Sequence, residues 1–232
     1  LAVYYPESIE VSDRFPKLIK DYFKTNFNFY THPIELLDDP YLSTVVPYAP
    51  VLQNIEYDEQ ALYTELLSAI KHLKLQTRDP KQNTYNRAES TQENYWSVID
   101  FILSHCGEYS LENKFNISKD LVPNLYKLIE TLNLDEILHA FIGVLGPGAY
   151  IAPHVDDYYG LEHVIQAYPG CSQIYFPINW KAGNYFKLHN VGLIPLENKP
   201  YYVNNHNFSH ALVNDSDEYR FTIGVVGSRL HA

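Results

Sequence analysis

Residues 137–157 read ILHAFIGVLGPGAYIAPHVDD, and the fold is decided there. The first nine, Ile137 to Leu145, are rich in β-formers and stop at Gly146-Pro147-Gly148, a strong turn signal. Extended chain resumes at Tyr150-Ile151, and the same rhythm continues to the C-terminus. His163 to Ala167, Gln173 to Ile178, Asn184 to Leu188, Gly192 to Pro195, Tyr201 to Val203, His210 to Val213 and Tyr219 to Val226 are further strand candidates. Short strands at roughly even spacing, separated by turns, predict a sandwich or jelly roll.

Upstream of this stretch the period changes to that of helices. Phe15 to Phe27 places Leu18, Ile19, Tyr22 and Phe23 at three-to-four spacing, with Pro16 tolerated in the first turn. Asp58 to Leu75 carries Leu62, Leu66, Leu67, Ile70 and Leu73 in the same rhythm, with Asp58 as N-cap. Glu93 to Cys106 (apolar at Tyr95, Trp96, Ile99, Phe101, Ile102 and Leu103) and Ser118 to Leu132 are predicted as two more helices. The polar, breaker-rich Arg78 to Thr91 reads as an exposed loop. The predicted architecture is therefore α+β in a single domain, 1–232. A mainly helical region, 1–135, supports a jelly-roll core, 136–230.

Composition narrows the function. The chain has 232 residues, 46% hydrophobic and 19% charged, which supplies a large core and excludes disorder for most of its length. Seventeen Lys and Arg against 28 Asp and Glu leave a net charge of −11. With no basic run, phosphates meet no electrostatic footprint, so a nucleic-acid partner is not expected. No run approaches the ~18 apolar residues of a membrane span, and no basic segment followed by an apolar one opens the chain, so a cytoplasmic location is expected. The two cysteines, Cys106 and Cys171, have no CxxC spacing and read as reduced thiols.

Most of the ten histidines have no partner at ligand spacing. His154 does: in extended chain, side chains two apart share a face, so His154 and Asp156 present an imidazole and a carboxylate together. A distant strand would add a second histidine. Both His206 and His210 qualify; His210 is preferred because it opens the apolar run Ala211-Leu212-Val213, whereas His206 sits among turn-forming asparagines. Two histidines and one carboxylate leave open positions on a metal and suit ferrous iron, whereas structural zinc takes a closed set. Arg220 follows His210 by ten residues, on the same face of its strand as Thr222. An arginine turned into a barrel is costly unless a fixed anion meets it, and guanidinium pairs bidentately with carboxylate. In the alternative, Arg220 faces solvent and pairs with Asp215, Asp217 or Glu218.

His154-Val155-Asp156, His210 and Arg220 together resemble the triad and anchor of the iron(II)- and 2-oxoglutarate-dependent oxygenases. Gly148 to Asp156 looks like that superfamily's strand leading into the first ligand. Asn205 to Asn214 with Arg220 is most similar to the aspartyl/asparaginyl β-hydroxylase-like branch. The resemblance covers about residues 140 to 226 and implies a double-stranded β-helix with Fe(II) held by His154, Asp156 and His210. It further implies 2-oxoglutarate and O2 as cosubstrates, with Arg220, Thr222 and His163 on the far carboxylate of the keto acid. Asn214 would steady His210 or the cosubstrate. The branch often has an arginine two residues before the histidine matched by His163, where this chain has Leu161. Asp156 stands where some members carry glycine, which argues against a halogenase-like open site. The implied activity is hydroxylation of a C–H bond of an amino acid, peptide side chain or small metabolite, with release of succinate and CO2. Candidate substrate contacts are Tyr150, Asp157, Tyr158, Tyr159, Trp180 and the Arg78 to Thr91 loop. A cupin-like non-oxidative metalloenzyme and a non-catalytic jelly-roll binding module are the two rival readings of the same residues.

Overall fold

The computed structural model describes residues 9–24, 48–51, 55–72, 96–103, 119–132, 137–155, 172–194, 199–205 and 208–227. Strand β3 (Ile137–Leu145) pairs antiparallel with β2 (Trp96–Leu103) on one side and β10 (Arg220–Gly227) on the other. The sheet continues from β10 through β5 (Ser172–Ile178) and β8 (Tyr201–Val203) to β1 (Tyr48–Pro50), giving six strands in the order β1-β8-β5-β10-β3-β2. A second antiparallel sheet has the order β4-β9-β6-β7, formed by β4 (Tyr150–His154), β9 (His210–Asn214), β6 (Asn184–Leu188) and β7 (Gly192–Leu193). From β3 onward successive strands alternate between the two sheets, except that β6 and β7 belong to the same one. The molecule thus mixes helices with antiparallel sheet.

Alternation along each strand sorts side chains into layers. On the six-stranded sheet, Phe221, Ile223 and Val225 of β10 join Ala140, Ile142, Val144, Ile174, Phe176 and Ile178 in one buried cluster. That cluster is covered by α2 (Glu59–His72) and α3 (Pro123–Glu130), through Leu62, Leu66, Leu125, Leu128 and Ile129. The opposite face meets the four-stranded sheet, with Leu145, Tyr175, Tyr201 and Val203 against Ile151, Phe186, Leu188 and Leu212. Beyond the four-stranded sheet, α1 (Lys17–Lys24) and the segment before it bury Ile9, Val11, Phe15, Ile19 and Phe23 against Tyr150, Leu193, Ala211 and Val213.

The helices have local causes. The Asp58 carboxylate accepts the Ala61 amide at 2.9 Å, the expected cap of α2. Helix α3 begins at Pro123, in its first turn, and Val122 before it supplies no side-chain cap. Glu65 of α2 does so instead, accepting the backbone amides of Asn124 and Leu125 at 2.8 and 2.9 Å. That places a carboxylate at the positive end of a helix.

Three expectations need correction. Glu93 to Cys106 contains a strand, β2, and not a helix. Its pairing with β3 shifts register between Asp100 and Ile102, and the irregularity breaks the two-residue alternation that marks a strand in sequence. The helical first part also lends β1 to the six-stranded sheet, as an edge strand ending at Pro50, where a missing amide donor is tolerated. The predicted helix from Ser118 is shorter than expected, because Pro123 opens it. The Arg78 to Thr91 loop and the His163 to Ala167 strand lie outside the described residues, as do Cys106 and Cys171.

Candidate active site

His154 and His210 arrive from adjacent strands. β4 and β9 pair Ile151 with Leu212, and uninterrupted pairing would then set Pro153 opposite His210. The register shifts between Ile151 and His154, so His154 itself faces His210. Paired residues of antiparallel strands share a face, and Leu212 and His210 share one by alternation. The extra residue therefore turns His154 inward. Pro153 occupies the bulge, a position that needs no amide donor. The two imidazoles lie 4.2 Å apart between centroids at 48°. His210 is buried, and His154 is half-buried toward the end of its strand.

The His154 ring is held in one tautomer. Its Nδ1 stands 2.8 Å from the Ala152 carbonyl oxygen, which can only accept, so Nδ1 carries the proton and Nε2 is the basic nitrogen. A backbone carbonyl behind a histidine is the usual support of a metal ligand. Among the described residues no three His, Cys, Asp or Glu side chains converge. Asp156, His163 and His206 lie outside the described residues.

Arg220 lies inside. It is 1% exposed, on the face of β10 opposite Phe221 and Ile223, and Thr222 shares that inward face. Gly224 continues the row, where a side chain would strike the Phe141 ring at 2.1 Å. The guanidinium carbon sits 3.7 Å from the centroid of the Trp180 ring, and Nε, Nη1 and Nη2 meet no hydrogen-bond acceptor among the described residues. The carboxylates that could have paired with it at the surface are engaged elsewhere. Asp215 and Asp217 bind Arg14, and Glu218 binds Lys181. Burial lowers the Arg220 pKa to about 9, partly offset by Tyr201 beside it. A cation stacked on an indole but stripped of acceptors is the local arrangement that calls for an anion.

Aromatic rings join the two ends of the site. Phe186 lies 5.5 Å from the His210 ring and 6.0 Å from Trp180, which carries Arg220 on its face. Trp180 is 2% exposed and its Nε1 donates to the Phe221 carbonyl at 2.9 Å, so it is a buried support for the arginine and not an open substrate contact. Tyr150 points the other way. It pairs with Val213 and packs on Phe15 in the cluster under α1, which removes it from the pocket side. Asp157, Tyr158 and Tyr159 lie outside the described residues.

The Asn214 amide also differs from expectation. Nδ2 donates to the carbonyls of Leu145, Gly146 and Glu218, and Oδ1 accepts from the Ser216 amide and hydroxyl. All its polar atoms thus tie the β9–β10 turn to the β3–β4 turn, and none is left for a cosubstrate. The sequence reading missed Tyr201, which lies inside with Tyr175 and Trp180. Its only signal was the alternation in Tyr201-Tyr202-Val203, which sends Tyr201 inward and Tyr202 to the helix-covered face.

The chain matches the aspartyl/asparaginyl beta-hydroxylase family over residues 56–226, so the likeness extends into the helical first part. No curated protein matches it. Among solved structures it is similar to a 2OG-Fe(II) oxygenase family oxidoreductase from Burkholderia pseudomallei, at 12% identity over 88% of this chain and 98% of the other, with a TM-score of 0.45. A prolyl hydroxylase from Trichoplax adhaerens, solved with a hypoxia inducible factor peptide fragment, aligns at 11% identity over 85% and 94%, TM-score 0.43. A Pseudomonas putida prolyl-4-hydroxylase aligns at 9% identity over 84% and 100%, TM-score 0.38. With a match spanning most of its length, the chain belongs to the aspartyl/asparaginyl β-hydroxylase family and is a hydroxylase.

Proposed function

We propose that the protein is an Fe(II)- and 2-oxoglutarate-dependent dioxygenase that hydroxylates an unactivated C–H bond of an amino acid, a peptide side chain or a small metabolite. The observation that carries this reading is Arg220: a buried guanidinium without an acceptor among the described residues, one turn of chain from a histidine that faces a second histidine. The two-sheet body with its alternating strands is read as the double-stranded β-helix of such enzymes, residues 136–230, supported by 1–135 within one domain.

The donor set fits the cofactors. His154 and His210 offer imidazole nitrogens side by side, Asp156 follows His154 by two residues, and the three would hold Fe(II) as a face with open positions. Arg220 would bind the far carboxylate of 2-oxoglutarate, with the Thr222 hydroxyl on the same face and His163 as a third contact. Iron, keto acid and O2 together supply the oxidising chemistry, and the keto acid leaves as succinate and CO2. The chain's own contribution is geometric. The bulge in β4 aims His154, the Ala152 carbonyl fixes its proton on Nδ1, and Trp180 keeps Arg220 dry and flat. An anion held this way is fixed at one end before the substrate arrives, which lowers the orientational cost of the reaction.

The test is an anaerobic titration of the metal-free protein with Fe(II) and then 2-oxoglutarate, following the weak visible charge-transfer band of a keto acid chelated to ferrous iron. A band requiring both components, lost in His210→Ala and kept in His206→Ala, is expected. Tight metal binding with no band would reject the cosubstrate, and loss in His206→Ala alone would move the second ligand.

A further inference from the structure

Tyr201 has no part in the site as read from sequence, yet it is buried, as Arg220 is. It stands at the centre of the inter-sheet space, 5% exposed, its ring stacked 6.2 Å from Tyr175 and edge-on to Trp180 at 5.9 Å. The Tyr175 hydroxyl is satisfied, accepting from Asn205 Nδ2 at 2.7 Å. The Tyr201 hydroxyl is buried and meets no hydrogen-bond partner among the described residues. Trp180 lies against both Tyr201 and Arg220, so the unmet hydroxyl and the unmet guanidinium flank one indole.

A buried phenol without a partner costs about 1–3 kcal/mol, and two such groups against one indole would be a double penalty unless a ligand meets them both. The guanidinium only donates. A ligand that satisfies it must accept, and a carboxylate has enough lone pairs to accept from a hydroxyl as well. Burial raises the Tyr201 pKa well above its usual value despite the nearby guanidinium, so the phenol keeps its proton and acts as a donor.

We infer that the Tyr201 hydroxyl donates to the same carboxylate that Arg220 binds, making this phenol a residue that selects a keto acid with a second carboxylate. The inference rests on the 2-oxoglutarate reading above. It assigns one anchor contact to the six-stranded sheet's β8, two strands away from Arg220.

The experiment compares two keto acids of equal chain length, 2-oxoglutarate and 2-oxopentanoate, which lacks the far carboxylate. Each is titrated anaerobically into the Fe(II)-loaded wild type and into Tyr201→Phe, a change that preserves the ring contacts. Tyr201→Phe should weaken 2-oxoglutarate about tenfold or more, as expected for a hydrogen bond to a charged group. It should leave 2-oxopentanoate and the Fe(II) affinity where they were. Unchanged 2-oxoglutarate affinity overturns the inference, and equal weakening of both keto acids overturns it too, by revealing a packing role. The dicarboxylate reading itself fails on a different result, a wild type that shows no band with 2-oxoglutarate or does not distinguish the two acids.

Discussion

At the scale of single residues, the site depends on groups whose surroundings leave them one available role. Arg220 is the sharpest case. Its charge is buried against Trp180 without an acceptor among the described residues, so on the proposed reading replacing it removes an anion contact and no ion pair among those residues. Arg220→Ala is expected to raise the 2-oxoglutarate requirement about a hundredfold while leaving the Fe(II) requirement unchanged; a bidentate charged contact is worth that much. Equal effects on both would reject the anchor role. Asn214 marks the opposite situation. Its two N–H groups are shared among three carbonyls, and the Ala variant would strand them in a buried turn. Asn214→Ala should cost about 2–4 kcal/mol of stability, read as a lower melting temperature with an unchanged keto-acid affinity in the fraction that folds. The sequence singled out His154, His210 and Arg220 as candidates from motif spacing, a local property; the structure sets His154 opposite His210 and buries Arg220. The sequence could not say that Asn214 holds a turn or that Tyr150 faces α1, because those outcomes depend on chain folded in from over 60 residues away and on the N-terminal segment.

At the scale of elements, irregular pairing explains most of what sequence pattern missed. The shift in β2 disguised a strand as a helix, and the shift in β4 moved His154 onto the inward face without any change a period-two reading could register. Regular elements were legible, as with β3 and β6, whose bounds coincide with the strands predicted from sequence. Helix α1 adds a feature that pattern alone conceals. Lys187 of β6 is 3% exposed beneath it, with Nζ donating to the Tyr22 carbonyl and lying 4.6 Å over the Tyr22 ring. Burial lowers the Lys187 pKa to about 8, from 10.5 in an exposed lysine. Between those values the unfolded chain holds the extra proton, so stability rises with pH in that window. Chemical denaturation at pH 8 and pH 9.5 should show that rise, at most about 1.4 kcal/mol per unit from this lysine, and Lys187→Met should remove that part of it. Parallel slopes for the two proteins would show that Lys187 titrates as an ordinary surface lysine.

At the scale of the whole molecule, the two sheets separate a structural side from a chemical one. The N-terminal segment is fastened to the turn that joins His210 to Arg220. The Ser12 amide and hydroxyl and Arg14 Nε all donate to Asp215, at 2.7, 2.6 and 2.8 Å. Asp215 in turn lies against Gly183, where a side chain would come within 3.0 Å of its backbone and where φ is +91°, a conformation suited to glycine. The outer layer thus braces the site's supporting turn from behind, while its apolar residues never reach the inter-sheet space. Phe23 is fully buried in that outer layer, against Tyr185 on the far face of β6 from Phe186. Phe23→Ala removes a large buried ring and should cost about 3–5 kcal/mol, a fall in melting temperature of ~10 °C for a chain of this size. Measured below its melting point, the same variant should bind Fe(II) and 2-oxoglutarate as the wild type does, because Phe23 packs on the face of the four-stranded sheet away from the inter-sheet space and takes no part in the Ser12 and Arg14 contacts to Asp215. A variant that melts as expected but binds the keto acid several-fold more weakly would show instead that α1 transmits through β6 to the site, and that the outer layer belongs to the catalytic machinery.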